Sequence, residues 1–471
     1  MVGGVVALMA AAPVPVLKIT PQMVVDQVLK EGTSAKAAEL QAKIATYNLE
    51  TALGIYDIQL TGKSGYEQTE AQNMTFTNDV MDRTFTFSTL LQKKLSTGTT
   101  IGLGLDHTFQ NATLNAFAST ARKPTVTADV LTLTVRQALL ANSFGRADRL
   151  NIEIAEANAA TAKDSLRENL EGVILNGLTL FWNAYVAQEQ FKQNLSARDK
   201  YDQLVKNVRR KAGFNLSTPG ELPRLEAELN NTEARVKTSS ADYLSSVESL
   251  LTSMRLSQKA QVEFIVSGDL PPVPQLKACT IDDLRTVRVA NVNVQNAERS
   301  LESVKNQGLP KLDLVAKGQT TGVEEERERA IAEMTGGRYP TYFVGVEFSM
   351  AFDSNALHGQ TEAARTQVEV ARNNLTIQKD TARDQINALE RTVVANHENA
   401  KMAQETVEFR GKVVKELEVS YRQGRQPLVE LIRAYNELFA AELDRARAVG
   451  QYHISLNQLA AARDELIGGQ L

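Results

Sequence analysis

The sequence predicts a mixed α/β chain in which membrane-type strands alternate with helices too long for a globular domain, arranged as two internal repeats. Three observations carry this reading. First, residues 146–212 contain no proline and only helix-compatible residues, which at 1.5 Å per residue is roughly 100 Å of helix. Second, runs of about ten residues alternate apolar with Gly, Thr, Ser, Gln or charge, the length and pattern of a strand with one face in lipid. Third, the order helix, strand, strand, long helix, helix occurs twice, the signature of internal duplication.

Taken in order, residues 5–17 (VVALMAAAPVPVL) form a short apolar run with Ala10–Ala12 inside it. The reading is an export signal over 1–19, too short to span a bilayer, with no Lys or Arg before it and no cysteine for a lipid anchor. Repeat one covers 20–268. Thr20-Pro21 opens a helix to residue 55, with Thr as N-cap and Pro in the first helical position. A strand region follows over 56–140, then long helices over 146–212 and 219–255. Asp269-Leu-Pro-Pro-Val-Pro274 marks a linker over 269–279.

Repeat two covers 280–471. Thr280 with Asp283 three residues on opens a helix over 280–308, followed by strands over 312–318 and 341–352 and helices over 360–421 and 427–467. The first of those long helices carries a thin stripe with spacings of three, four and seven, from Ala364, Val368 and Ala371 to Val414, Leu417 and Tyr421. Thr280 lies 260 residues after Thr20, but Gly359 lies 214 after Gly145 and Gly424 lies 211 after Gly213. Repeat one thus holds 46 extra residues in its strand region. They include a hairpin, 84–95 and 101–110, joined by 96–100. The segments 67–82, 111–124 and 319–340 read as polar loops.

Each long helix ends alike. Arg209-Arg210-Lys211 precede Gly213, and Tyr421-Arg422 precede Gly424; cations meet the last carbonyls and glycine takes the left-handed position beyond them. Ser217-Thr218-Pro219 and Gln426-Pro427 open the next helices. These are two helix-turn-helix tips at the same end of the molecule.

Composition excludes several classes. The 52 Lys+Arg against 56 Asp+Glu leave a formal charge of −4 and no basic footprint for nucleic acid. Cys279 is the single cysteine, and His107, His358, His397 and His453 are scattered, so neither a thiolate cluster nor a histidine-built metal site is expected and no cofactor is called for. No apolar run of 18 residues occurs beyond the N-terminus. An enzyme is not expected. Gly62-Lys63-Ser64 imitates a phosphate-binding loop, but Asp57 stands where its first glycine belongs. His358 reads as a surface or capping residue. Too few strands are present to close a barrel in one chain, so closure requires several subunits.

The stretch Ser420-Tyr-Arg-Gln-Gly-Arg-Gln-Pro-Leu-Val-Glu-Leu-Ile-Arg433, followed by Ala434-Tyr-Asn-Glu-Leu, is the most specific in the chain. Gln137-Ala-Leu-Leu140, Phe144-Gly145, Phe181-Trp182-Asn-Ala-Tyr185 and Gly308-Leu-Pro-Lys-Leu312 add to it. By these stretches the chain resembles the TolC family of outer-membrane efflux and secretion ducts. The resemblance implies a homotrimer in the Gram-negative outer membrane. Its chains share one transmembrane β-barrel, continued by a periplasmic α-helical barrel. The implied function is the exit duct of a tripartite efflux or type I secretion system. The implied partners are a periplasmic adaptor (membrane fusion) protein, an inner-membrane pump and outer-membrane lipid. A gate at the periplasmic tips is also implied, with Glu221 and Glu430 as its acids, Tyr421 as its tyrosine, and Lys211, Arg422 and Arg425 as candidate partners beside Gly213 and Gly424. Arg433 stands where some drug-efflux members carry an acid. The competing reading is a non-membrane periplasmic coiled-coil structural or adaptor protein.

The extra hairpin departs from the two strands per repeat that the resemblance implies. Inserted in the wall, it makes six strands per chain and eighteen per trimer instead of twelve; projecting outward, it is an extracellular flap.

Overall fold

The computed structural model describes residues 16–70, 79–114, 125–214, 219–257, 261–266, 270–275, 279–352 and 354–467. Most of the proposed export signal, Ser217-Thr218 and parts of the loops and linker lie outside them. The chain divides into two compact units, one of residues 43–162 and 290–375, the other of 1–42, 163–289 and 376–471.

The first unit is built on a six-stranded antiparallel sheet among the described residues: β2 (Ile58–Glu70), β3 (Asp79–Lys94), β4 (Thr99–Leu114), β5 (Thr125–Ala138), β7 (Lys311–Glu324) and β8 (Pro340–Ser349), in that spatial order. Period-two alternation puts one class of residue on each face. One hydrogen-bonded row runs Leu60, Leu91, Leu103, Leu133, Gly318, Tyr342, and another Ile58, Lys93, Ile101, Val135, Ala316, Val344. Tyr66, Phe85 and Phe109 form a third row on the same face. The opposite face carries Thr61, Leu90, Gly104, Thr132, Gln319 and Thr341 in one row and Lys63, Ser88, Asp106 and Val130 in another. Phe343 falls on this polar face, one register step from Tyr342.

The expected loop 319–340 is only partly a loop. β7 continues to Glu324 because β5 offers partners as far as Thr127. A helix then folds back, α6 (Arg327–Thr335), and lies on the apolar face across β5 and β7. Gly322 makes this possible, since a Cβ there would sit 1.8 Å from the Ala330 carbonyl oxygen. Thr320 donates to the Met334 carbonyl. The polar residues of that face are buried there, Thr127 and Asp129 among them, with Asp129 held by His107 Nδ1 at 2.8 Å.

In the second unit, α1 (Pro21–Glu31) is capped as expected: Thr20 Oγ1 accepts from the Met23 N–H at 3.2 Å. The helix expected over 20–55 is broken at Gly32, whose extended ψ of 132° ends α1. A Cβ there would meet the Val28 oxygen at 2.1 Å. α2 (Thr33–Leu53) follows, and a 3-10 turn at Gly54–Tyr56 leads into β2. The long elements are α3 (Arg146–Gly213), α4 (Glu221–Ser253), α7 (Asn355–Arg422) and α8 (Leu428–Ala462). α7 begins ahead of Gly359 and places His358 on its exposed surface.

The start of repeat two also differs from expectation. Thr280 makes no cap; a 3-10 turn, Ile281–Asp283, precedes α5 (Arg285–Gln307). The first N–H of α5 is taken instead by the Asp464 carboxylate, 2.6 Å away, from the far end of the chain.

A small parallel pair was not legible beforehand: β1 (Val16–Ile19) and β6 (Gln261–Phe264), in register from Val16–Gln261 to Ile19–Phe264. Four residues give too short an alternation to stand out. The pair closes over a core of Val24, Val28, Phe181, Trp182, Leu250, Leu251 and Met254. There His453 stacks on Trp182, with ring centres 3.9 Å apart and planes 7° from parallel.

Candidate functional site: the helix tips

The α7–α8 tip is a tight reversal. α7 ends at Arg422, Gly424 takes φ +72°, and the turn is pinned by Gly424 N–H on the Tyr421 oxygen (3.0 Å) and Arg425 N–H on the Ser420 oxygen (2.9 Å). Pro427 ends the turn, and Glu430 sits in the first turn of α8, where a carboxylate complements the free N–H groups. At the α3–α4 tip the expectation for Gly213 fails. Gly213 is the last helical residue, and among the described residues of this tip the left-handed one is Gly220, φ +91°, directly before Glu221 in the first turn of α4.

Both tips share one apolar cluster: Tyr201, Leu204, Val205 and Val208 of α3, Leu225 of α4, Val414 of α7, and Leu428, Leu431, Ile432 and Tyr435 of α8. Polar links run across it. Tyr201 donates to Asn436 Oδ1 at 2.9 Å. Tyr435 donates to Glu418, whose carboxylate also faces Lys200 and Arg422, each at 3.5 Å. Lys211 Nζ lies 4.6 Å from the centre of the Tyr421 ring, a cation–π contact between the two tips. Arg209 pairs with Glu226 at 2.7 Å. Arg433 pairs with Glu437 at 3.1 Å, which Arg410 also contacts.

The charges follow from these neighbours. Burial acts to raise the Glu418 carboxyl, but the Tyr435 hydroxyl and the Lys200 ammonium outweigh it, and the group sits below the usual carboxylate range. Burial pushes up the Tyr435 phenol, reinforced by Glu418. Burial also raises Tyr201 and Tyr421, the latter with help from the Glu221 charge. All three therefore stay protonated at neutral pH.

Of the residues expected here, the structure brings Lys211, Tyr421 and Glu221 together, and it turns Arg422 and Arg433 along their own helices to Glu418 and Glu437. Sequence reading did not single out Glu418, Lys200, Tyr201 or Asn436. The Glu418–Arg422 spacing of four was the one available signal.

A second charged cluster lies elsewhere in the same unit. Arg285 meets Asp464 at 3.0 Å, Glu168 at 3.6 Å and the buried Glu171. Burial and the Asp464 charge raise the Glu168 carboxyl. The three carboxylates stand close enough together for a cation, but the guanidinium already supplies the positive charge.

A family model for outer membrane efflux proteins matches residues 282–463. No curated protein matches the sequence. Among solved structures, the CmeC outer membrane channel of Campylobacter jejuni is similar with a TM-score of 0.73 at 13% identity, over 95% of this chain and 86% of that one. CusC gives 0.72 at 12%, over 97% and 95%. The outer membrane protein VceC of Vibrio cholerae gives 0.69 at 12%, over 94% and 96%. Residues 282–463 thus match the outer membrane efflux protein model, and over nearly its whole length the chain shares the fold of these outer membrane channel structures.

Proposed function

We propose that this chain is the outer-membrane exit duct of a tripartite efflux or type I secretion system. It works as a homotrimer with a periplasmic adaptor and an inner-membrane pump, and it closes at the periplasmic helix tips. It is a channel and not a catalyst. The observation that carries this reading is the sheet. Its apolar face is left exposed over β2 and β8, with Leu60 at 69%, Val344 at 74% and Tyr342 at 81% of full exposure, and its other face is polar. A soluble sheet buries its apolar face; a strand in a bilayer wall turns it outward. That favours the duct over a periplasmic coiled-coil protein, which has no use for such a surface. Among the described residues no helix is long and apolar enough to cross a membrane, so the sheet carries the span. The reading is tested by fractionation, native mass spectrometry in detergent and planar-bilayer conductance. Detergent-dependent extraction from outer membranes, a trimer mass and channel activity are expected. A monomer that stays soluble without detergent refutes it.

A further inference from the structure

We propose that the six-stranded sheet is one third of an eighteen-stranded barrel, wide enough for cargo that a twelve-stranded wall excludes. The proposal rests on the exit-duct reading and adds the size class of what passes.

The added strands β3 and β4 are structural members of the wall. β3 is hydrogen-bonded to β2 from Ile58–Lys93 to Glu70–Met81 and to β4 on its other side, and β4 is paired with β5 from Thr99–Gln137 to Asn111–Thr125. Their turn is seated at the junction where β5 leads into α3. A Cβ on Gly98 (φ +73°) would meet the Gly145 nitrogen at 2.4 Å, and one on Gly145 (φ +73°) the Ser96 oxygen at 2.6 Å. Two glycines in contact leave no gap there. Arg149 donates to the Ser96 carbonyl at 3.0 Å, Gln137 to Thr97 at 3.1 Å, and Lys94 pairs with Asp148 at 2.6 Å. A flap projecting from the outer rim has no such footing at the helix end of the strands.

The faces agree. Leu91 and Leu103 complete a row begun by Leu60 and continued by Leu133, and the row through Leu90 and Gly104 lies on the polar side. Lys93, a charge on the apolar face, lies in the row of Ile58 at the first residue of β2, where a lysine stem reaches the membrane interface.

Among the described residues β2 and β8 are the free edges of the sheet, and they select a second copy of this chain as their occupant. Six antiparallel strands leave β2 and β8 running in opposite directions, so β8 of one copy pairs antiparallel with β2 of the next. Phe348, Val346 and Val344 then continue the apolar face into Ile58 and Leu60 of the neighbouring copy. With strands about 4.8 Å apart and tilted about 40°, eighteen give a barrel radius of about 18 Å and twelve about 12 Å. After side chains of about 6 Å line the wall, the clear lumen is about twice as wide. The barrel lumen then admits solutes up to about 20 Å across.

The test uses the full-length protein in outer membranes, with Leu103→Cys and Gly104→Cys made separately. Gly104 has room, the nearest atom to its added Cβ being Leu90 Cδ1 at 3.9 Å. A water-soluble maleimide is expected to label Gly104→Cys at least about tenfold faster than Leu103→Cys, because lumen and lipid faces alternate. Equal labelling, or none at Gly104→Cys, overturns the proposal. Electron cryomicroscopy of the purified protein is expected to show eighteen strands. A trimer with twelve overturns this inference and leaves the duct; failure to find any membrane-embedded oligomer overturns the duct itself.

Discussion

Glu418 is the residue on which tip closure is expected to turn. Its side chain is 22% exposed and accepts from Tyr435 while facing Lys200 and Arg422 at 3.5 Å. Glu418→Gln keeps the shape and removes the charge. The Tyr435 bond drops from a charge-assisted to a neutral one, a loss of about 1 kcal/mol. Lys200 and Arg422 are 46% and 76% exposed, so their two pairs together are worth about 1 kcal/mol after solvent screening. The sum of about 2 kcal/mol is about thirtyfold in each chain's open-to-closed ratio. The assay is single-channel recording in planar bilayers at pH 7, where Glu418→Gln is expected to show markedly more time in high-conductance states, with Tyr435→Phe following in the same direction. The pH dependence has a fixed sign. A carboxyl held below its unfolded range contributes closure above that range and loses it as pH falls through the lowered value, so the wild type is expected to loosen only at pH below the ordinary carboxylate range and Glu418→Gln to lose that acid step. Unchanged conductance in both variants refutes the reasoning and shifts closure to the apolar cluster.

Arg285→Met leaves the buried Glu171 without its cation and is expected to destabilise the protein by about 3–5 kcal/mol, read as a lowered melting temperature in detergent; wild-type melting refutes this. His453 is pushed down to about 4 by burial against Trp182, so its stabilising contribution is present above pH 6.5 and lost as pH falls from there toward 4. His453→Phe is expected to remove up to about 3 kcal/mol of that acid sensitivity, and an unaltered melting profile over that range counts against it. Gly98→Ala forces a Cβ into the Gly145 backbone at a positive φ and is expected to cost about 2 kcal/mol or more, measured as reduced assembly into heat-resistant oligomers; normal assembly shows that the turn is not seated as described.

What the sequence determined by itself were the features with a local cause. Helix propensity and the absence of proline make Arg146 the start of a 68-residue helix, because each turn bonds only to the next. Alternation assigns Ile101, Leu103 and Leu105 to one face and Gly102 and Gly104 to the other, because neighbouring side chains on a strand must point opposite ways. Gly424 is legible as the left-handed turn because few other residues take that φ. What only the tertiary structure decided depends on partners distant in the chain. Tyr201 finds Asn436 across 235 residues, Asp464 caps α5 in place of Thr280, and α6 folds onto the sheet because Gly322 lacks a side chain. The pairing of the tip charges belongs here too. A charged side chain on a helix end can turn to its own helix, to a neighbour or to water at nearly equal cost, and only the packing around Glu418 and Tyr421 selects among them.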